Sequence, residues 1–118
     1  RHRHAGASEV LVTSGQRWAL MHELRGAAEP TLAEHLSRLS PCDLVLVEGF
    51  KREAIPKLEI HRPGVGKPLL FPDDPHIVAV ASDTALDTTL PRFDLNDVAG
   101  IANFIRNFHQ KPGIRDYT

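Results

Sequence analysis

The stretch Asp43-Leu44-Val45-Leu46-Val47-Glu48-Gly49-Phe50-Lys51 constrains the fold more than any other in the chain. Four aliphatic residues in a row, two of them β-branched, read as a strand buried on both faces, the pattern at the centre of a parallel sheet. Glu48 follows at once. A carboxylate at the carboxyl end of such a strand stands where open α/β sheets bind their ligands. Gly49 lets the backbone turn sharply there. Such a residue can hold Mg²⁺ directly or through water, or it can be an acid that happens to follow a strand. On these residues alone both readings stand.

A second aliphatic run, His76-Ile77-Val78-Ala79-Val80-Ala81, ends in Ser82-Asp83-Thr84 and reads as a second buried strand. In one parallel sheet, Glu48 and Asp83 would face the same crevice. A carboxylate accepts two parallel hydrogen bonds from an amidine-like edge. Guanine presents that edge through N1–H and its exocyclic amine, and adenine does not. Asp83 is therefore either a base reader or a cap on the turn that follows it.

The remaining segments fit an α/β rhythm. Glu9–Thr13 reads as a short strand, and Ser14-Gly15-Gln16 turns the chain. Arg17–Leu24 fits strand or helix, with an edge strand favoured and Trp18 as a core or interface residue. Thr31 starts a helix to about Ser40, with Leu32, Leu36 and Leu39 on one face and Glu34 completing a capping box. Pro41 stops it, so a strand, a helix and the 43–47 run form a βαβ unit. Lys57–His61 alternates as a strand with one wet face. Residues 62–75 form a long loop with four prolines. Gly64-Val65-Gly66-Lys67 is no phosphate-binding loop, since His61 and Pro68 stand where that motif needs Gly and Ser or Thr. Residues 86–93 form a loop or short extended piece. Asp94 caps a last helix whose apolar face is Val98, Ile101, Ala102, Ile105 and Phe108, and Lys111-Pro112-Gly113 ends it.

The chain has 118 residues, enough for one small domain with a core and too few for two. A net charge of -1 argues against a generic nucleic-acid or membrane-surface binder. One cysteine, Cys42, excludes an internal disulfide framework and fits a reducing compartment. No apolar run approaches the ~20 residues of a membrane span. The expected location is the cytoplasm. In the opening Arg1-His2-Arg3-His4, the two histidines are two apart and lack partners at ligand spacing, so a solvated helix end or a phosphate contact fits better than a metal site.

Taken together, Asp43–Lys51, Pro56–Ile60, His76–Asp83, Arg3–Ala7, Gln16–Met21 and Asp94–Val98 resemble the molybdopterin-guanine dinucleotide biosynthesis protein B (MobB) family, in the family's order and over nearly the whole chain. The resemblance implies a three-layer, mostly parallel sheet of the P-loop NTPase type. It implies a GTP-binding accessory protein of molybdenum cofactor biosynthesis that assists attachment of GMP to molybdopterin and hydrolyses GTP weakly with Mg²⁺. By resemblance, Glu48 lies at the Mg²⁺ and catalytic-water side and Gly49 near the γ-phosphate. Asp83, helped by Ser82, reads guanine. Lys51 and Arg3 lie near phosphate or pterin-derived groups, and Trp18 serves a homodimer interface. The implied partners are molybdopterin or its guanylyltransferase.

One departure from the family is large. The family opens with a strand and a G-x-x-x-x-G-K-T loop whose amides and Lys hold the triphosphate, and the 118 residues contain neither. They correspond to its C-terminal two-thirds. The expectation is an N-terminally incomplete sheet in one domain over 1–118 that binds nucleotide poorly by itself. Two other classes fit the same residues: a non-catalytic dimerisation scaffold that keeps the fold, and an ATP-using ligase like dethiobiotin synthetase.

Overall fold

The computed structural model describes residues 1–109. They gather into two compact units, residues 1–41 and the residues from Cys42 on. The helix stop expected at 111–113 lies outside the described residues.

The first unit is built on an antiparallel hairpin of β1 (Glu9–Thr13) and β2 (Trp18–His22). The segment that fitted either helix or strand is thus a strand. Ser14 makes the turn: its hydroxyl accepts from the backbone N–H groups of Gln16 and Arg17, both at 3.2 Å. Glu9 and His22, directly opposed, approach to 3.8 Å. Pairing puts Leu11, Leu20 and Trp18 on one face and Val10, Val12 and Met21 on the other. Leu11, Leu20 and Trp18 are 62%, 53% and 69% exposed, so this face of the hairpin is not covered within its own unit. Helix α1 (Leu32–Ser37) carries the full capping box, Thr31 to Glu34 at 3.1 Å and back at 3.0 Å. It is shorter than the spacing predicts. Leu39 is exposed beyond its end, and Leu32 is its buried residue.

The second unit holds a three-stranded parallel sheet in the order β3–β4–β5, formed by Lys57–His61, Ile77–Ser82 and Arg92–Asp94. β4 is the central strand, and Ile77, Ala79, Val80 and Ala81 form its buried core. The alternation in β3 runs opposite to its hydropathy: Ile60 is exposed, whereas Glu59 is buried. The reason lies in the loop that follows. Glu59 accepts the backbone N–H groups of Leu70 and Phe71 at 2.8 and 2.9 Å, which compensates its desolvation. Two residues earlier, Lys57 donates to Asp74 at 2.7 Å. The long loop is thereby pinned at its distal half, where Phe71–Asp73 forms a 3₁₀ turn.

Helix α2 (Val98–His109) follows β5. Its cap is Asp97, not Asp94. The Asp97 side chain accepts from Gly100 N–H at 3.0 Å, while Asp94 closes the preceding turn by accepting from Asn96 N–H at 2.8 Å. An Asx turn before a helix and a helix cap need the same residue type, so spacing alone chooses wrongly between Asp94 and Asp97. The inward face also shifts: Val98 is exposed, and Phe104 takes its place, 5.5 Å from Phe93 and 5.8 Å from Phe108 between ring centroids.

The largest correction concerns 43–47. That run is irregular and largely exposed, with Leu46 at 73%, and it belongs to no sheet among the described residues. Neither the βαβ unit around α1 nor a buried strand under Glu48 is therefore formed. A strand exists only where a neighbour supplies its ladder, and no described strand lies alongside this one. The parallel sheet expected from the sequence exists, carried instead by β3, β4 and β5. No helix among the described residues is long and apolar enough to cross a membrane.

Candidate functional site

The site at the carboxyl end of the sheet is set by register. In the parallel ladders His61 pairs with Ser82 and Ser82 with Asp94, so all three point to one face. One row earlier, Glu59, Val80 and Arg92 share that face. Ala81 and Phe93 point to the opposite one, where the Phe93 ring meets Phe104 of α2. A pocket of about 400 Å³ opens over the β4 and β5 ends of this arrangement. Val80, Ser82, Asp83, Thr84, Leu86 and Arg92 line it, together with Ala85, Phe93 and Asp94.

Ser82 is buried, and its hydroxyl is fixed locally: it accepts from Thr84 N–H at 3.2 Å and lies 3.3 Å from the Thr84 hydroxyl. That turn throws Asp83 outward. The Asp83 carboxylate is exposed and makes no hydrogen bond or ion pair among the described residues, so its acceptor capacity is open. Across the pocket, Arg92 donates from Nη1 to the Leu86 carbonyl at 2.6 Å, tying the 83–90 loop to β5. The pocket thus offers two hydroxyls, two carboxylates and a guanidinium around a small apolar floor of Val80 and Leu86. Such a set suits a planar, polar-edged ligand that both donates and accepts.

Of the residues singled out from sequence, Ser82 and Asp83 are brought together here. Glu48, Gly49 and Lys51 are not among the lining residues. Because 43–47 is no strand of the sheet, the argument that Glu48 and Asp83 share a crevice has no support in this geometry. Gly49 (φ 83°) and Phe50 (φ 51°) both take left-handed backbone, an uncommon conformation for an aromatic residue. Gly49 matches its sequence reading as a sharp turn. Glu48 is exposed and unpaired among the described residues. Mg²⁺ keeps several waters and needs only one or two protein carboxylates beside phosphate oxygens, so a single accessible Glu48 is compatible with a water-mediated site. No described cluster of three or more His, Cys, Asp or Glu is placed to hold a metal by itself.

Arg3 belongs to the other unit. Its guanidinium approaches Glu23 at 3.7 Å and the His4 ring at 3.5 Å. Thr84, Arg92 and Asp94 escaped the sequence reading as site residues. The signal was the short run Arg92-Phe93-Asp94, whose alternation fits a strand placing Arg92 and Asp94 on one face, but three residues are too few to stand out by periodicity.

Comparison with known proteins places this geometry in a family. The sequence profile of MobB, molybdopterin guanine dinucleotide synthesis protein B, matches residues 1–83. The chain is similar to the molybdopterin-guanine dinucleotide biosynthesis adapter protein of Escherichia coli (strain K12), 45% identical over 112 residues that cover 92% of the chain and 64% of that protein. It is also similar to the adapter protein of the same name from Haemophilus influenzae (strain ATCC 51907 / DSM 11121 / KW20 / Rd), 40% identical over 117 residues that cover 98% of the chain and 65% of that protein. The chain belongs to the MobB family, and it spans slightly less than two thirds of the length of these relatives.

Proposed function

We propose that this chain is the base-reading part of a GTP-binding adapter protein in molybdenum cofactor biosynthesis, working in the cytoplasm at the attachment of GMP to molybdopterin. The observation that carries the reading is the pocket at the ends of β4 and β5, where a buried Ser82 and an unpaired Asp83 carboxylate stand together. The names of both relatives support the pathway. Asp83 accepts the N1–H and exocyclic amine of guanine, with Ser82 and Thr84 shaping the turn. Adenine lacks that pair of donors, and a carboxylate covered by the bound base and left unpaired costs the wrong base ~1–3 kcal/mol.

In the intact protein, Glu48 would hold Mg²⁺ through water beside Gly49, and Lys51 and Arg3 would each contact phosphate or pterin-derived groups. The ion would neutralise developing phosphate charge in a slow hydrolysis. We assign 1–118 to one domain of the three-layer P-loop NTPase type. Its partners in this reading are molybdopterin or the guanylyltransferase.

The hairpin supports homodimerisation. A two-stranded ribbon is marginal alone, and Leu11, Trp18 and Leu20 expose one continuous apolar face. That face is also the observation favouring a second reading, a non-catalytic scaffold acting through its dimer surface. Nucleotide titrations separate the two. Asp83→Ala and Glu48→Ala should weaken binding, and Asp83→Ala should remove the preference for guanosine over adenosine nucleotides. Unchanged binding and unchanged base preference in both variants would leave only the scaffold. A preference for ATP in the unaltered protein would point to a ligase-like relative.

A further inference from the structure

We propose that Arg92 supplies the flat face on which the base in this pocket stacks. The inference rests on the reading of Ser82 and Asp83 as base-binding residues and adds to it the missing surface. A base held only by its edge is loosely fixed, and base sites add a planar partner above or below the ring. Phe93 is the one aromatic residue among those lining the pocket, and its ring is already engaged elsewhere. Strand alternation turns its side chain to the other side of the sheet, where the ring packs 5.5 Å from Phe104.

Val80, Ala85 and Leu86 are the other apolar lining residues, and none of them is planar. Arg92 is exposed, points to the pocket face in the same row as Val80, and lines the cavity. Its guanidinium is not free to swing, because Nη1 donates to the Leu86 carbonyl at 2.6 Å. A planar, delocalised cation held by one edge leaves its face open, and such a face stacks on aromatic rings. The side chain therefore does two things: it ties the 83–90 loop to β5 and it presents a π-surface to the cavity.

Stacking is blind to the base edge, so its loss must differ in kind from the loss of Asp83. The test follows the backbone amides of Ser82, Asp83 and Thr84 by NMR while guanosine and adenosine monophosphates are titrated to millimolar concentration. Arg92→Lys keeps a cation and a donor for Leu86 but removes the plane. It should weaken both nucleotides by the same factor, about three- to tenfold. Arg92→Phe keeps a flat face but has neither charge nor donor, and it should recover most of the affinity. A purely structural tie to Leu86 would give the reverse order, with Arg92→Lys normal and Arg92→Phe weak, and that result overturns the proposal. So does a change in the guanosine-to-adenosine ratio in Arg92→Lys, which would make Arg92 an edge contact. Asp83→Asn serves as the control for the underlying reading. If it leaves the ratio unchanged while the Arg92 variants behave as expected, the edge assignment fails and the stacking surface stands. If no shift appears at these amides with the unaltered protein, both fall together.

Discussion

Two aliphatic runs of the same kind meet opposite fates in this chain. Leu44–Val47 and Ile77–Ala81 are both rich in valine, and each is followed within two residues by an acid. In β4, Val80 is 1% exposed; in the earlier run, Leu46 is 73% exposed. The difference is not intrinsic. β4 has β3 on one side and β5 on the other, whereas 44–47 has no described partner. Strand propensity states a capacity to fit a pleated, half-buried surface, and neighbours decide whether it is realised. The consequence reaches the site: Asp83 follows a paired strand and lines a pocket, and Glu48 follows an unpaired one and does not.

Carboxylate substitutions put this contrast at greatest risk. Val80→Asp should cost at least ~3 kcal/mol, because it buries a charge without a partner, whereas Leu46→Asp should stay within ~0.5 kcal/mol. Denaturant unfolding of both variants measures the pair, and equal losses would mean that 44–47 is as well packed as β4.

Next in size comes Glu59, the buried residue of β3. Glu59→Gln replaces one of two acceptor oxygens with a donor, leaving Leu70 or Phe71 N–H unpaired at a cost of ~1–3 kcal/mol. Faster amide exchange at residues 70 and 71 than in the rest of the second unit is the accompanying signature. In the first unit, Thr31→Ala removes one half of the capping box and should cost about 1 kcal/mol. Helical amide shifts over 32–37 report it.

The smallest effect is pH-dependent. Lys57 donating to Asp74, with His76 N–H adding a second hydrogen bond, holds the Asp74 carboxyl below its ordinary value. A carboxyl lowered in the folded state adds stability above its unfolded pKa of about 4, and that contribution disappears as pH falls through the folded value. Asp74→Asn should therefore remove stability near neutrality by a small amount and flatten the acid limb below about pH 4. An acid limb identical to that of the unaltered chain would show that the pin on the loop carries no electrostatic stability.

Much of this was legible from residues. The strands at 9–13 and 57–61 and the capping box at Thr31 were read as they stand, because turn chemistry and local spacing specify them. The β4 strand was legible too, shifted by one residue, as were Ser82 and Asp83 at its end. What escaped depends on contacts distant in sequence. Glu59 is buried because Leu70 and Phe71, 11 and 12 residues on, present their N–H groups to it. Arg92 lines the pocket because three residues pair with β4, too short a run to be seen alone. Phe104 took the inward place expected of Val98 because the middle residue of β5, Phe93, faces the helix. Asp97 took the capping role expected of Asp94 because both sit at positions where an aspartate can close a turn or start a helix.

The central claim is that the Asp83 carboxylate reads guanine, and one base-swap measurement tests it most directly. Xanthine keeps N1–H but carries a carbonyl where guanine has its exocyclic amine. Asn offers one acceptor and one donor where Asp offers two acceptors. The account predicts that the unaltered protein favours guanosine over xanthosine nucleotides and that Asp83→Asn reverses the order, read by competitive titration. The same order of preference in both proteins would contradict it.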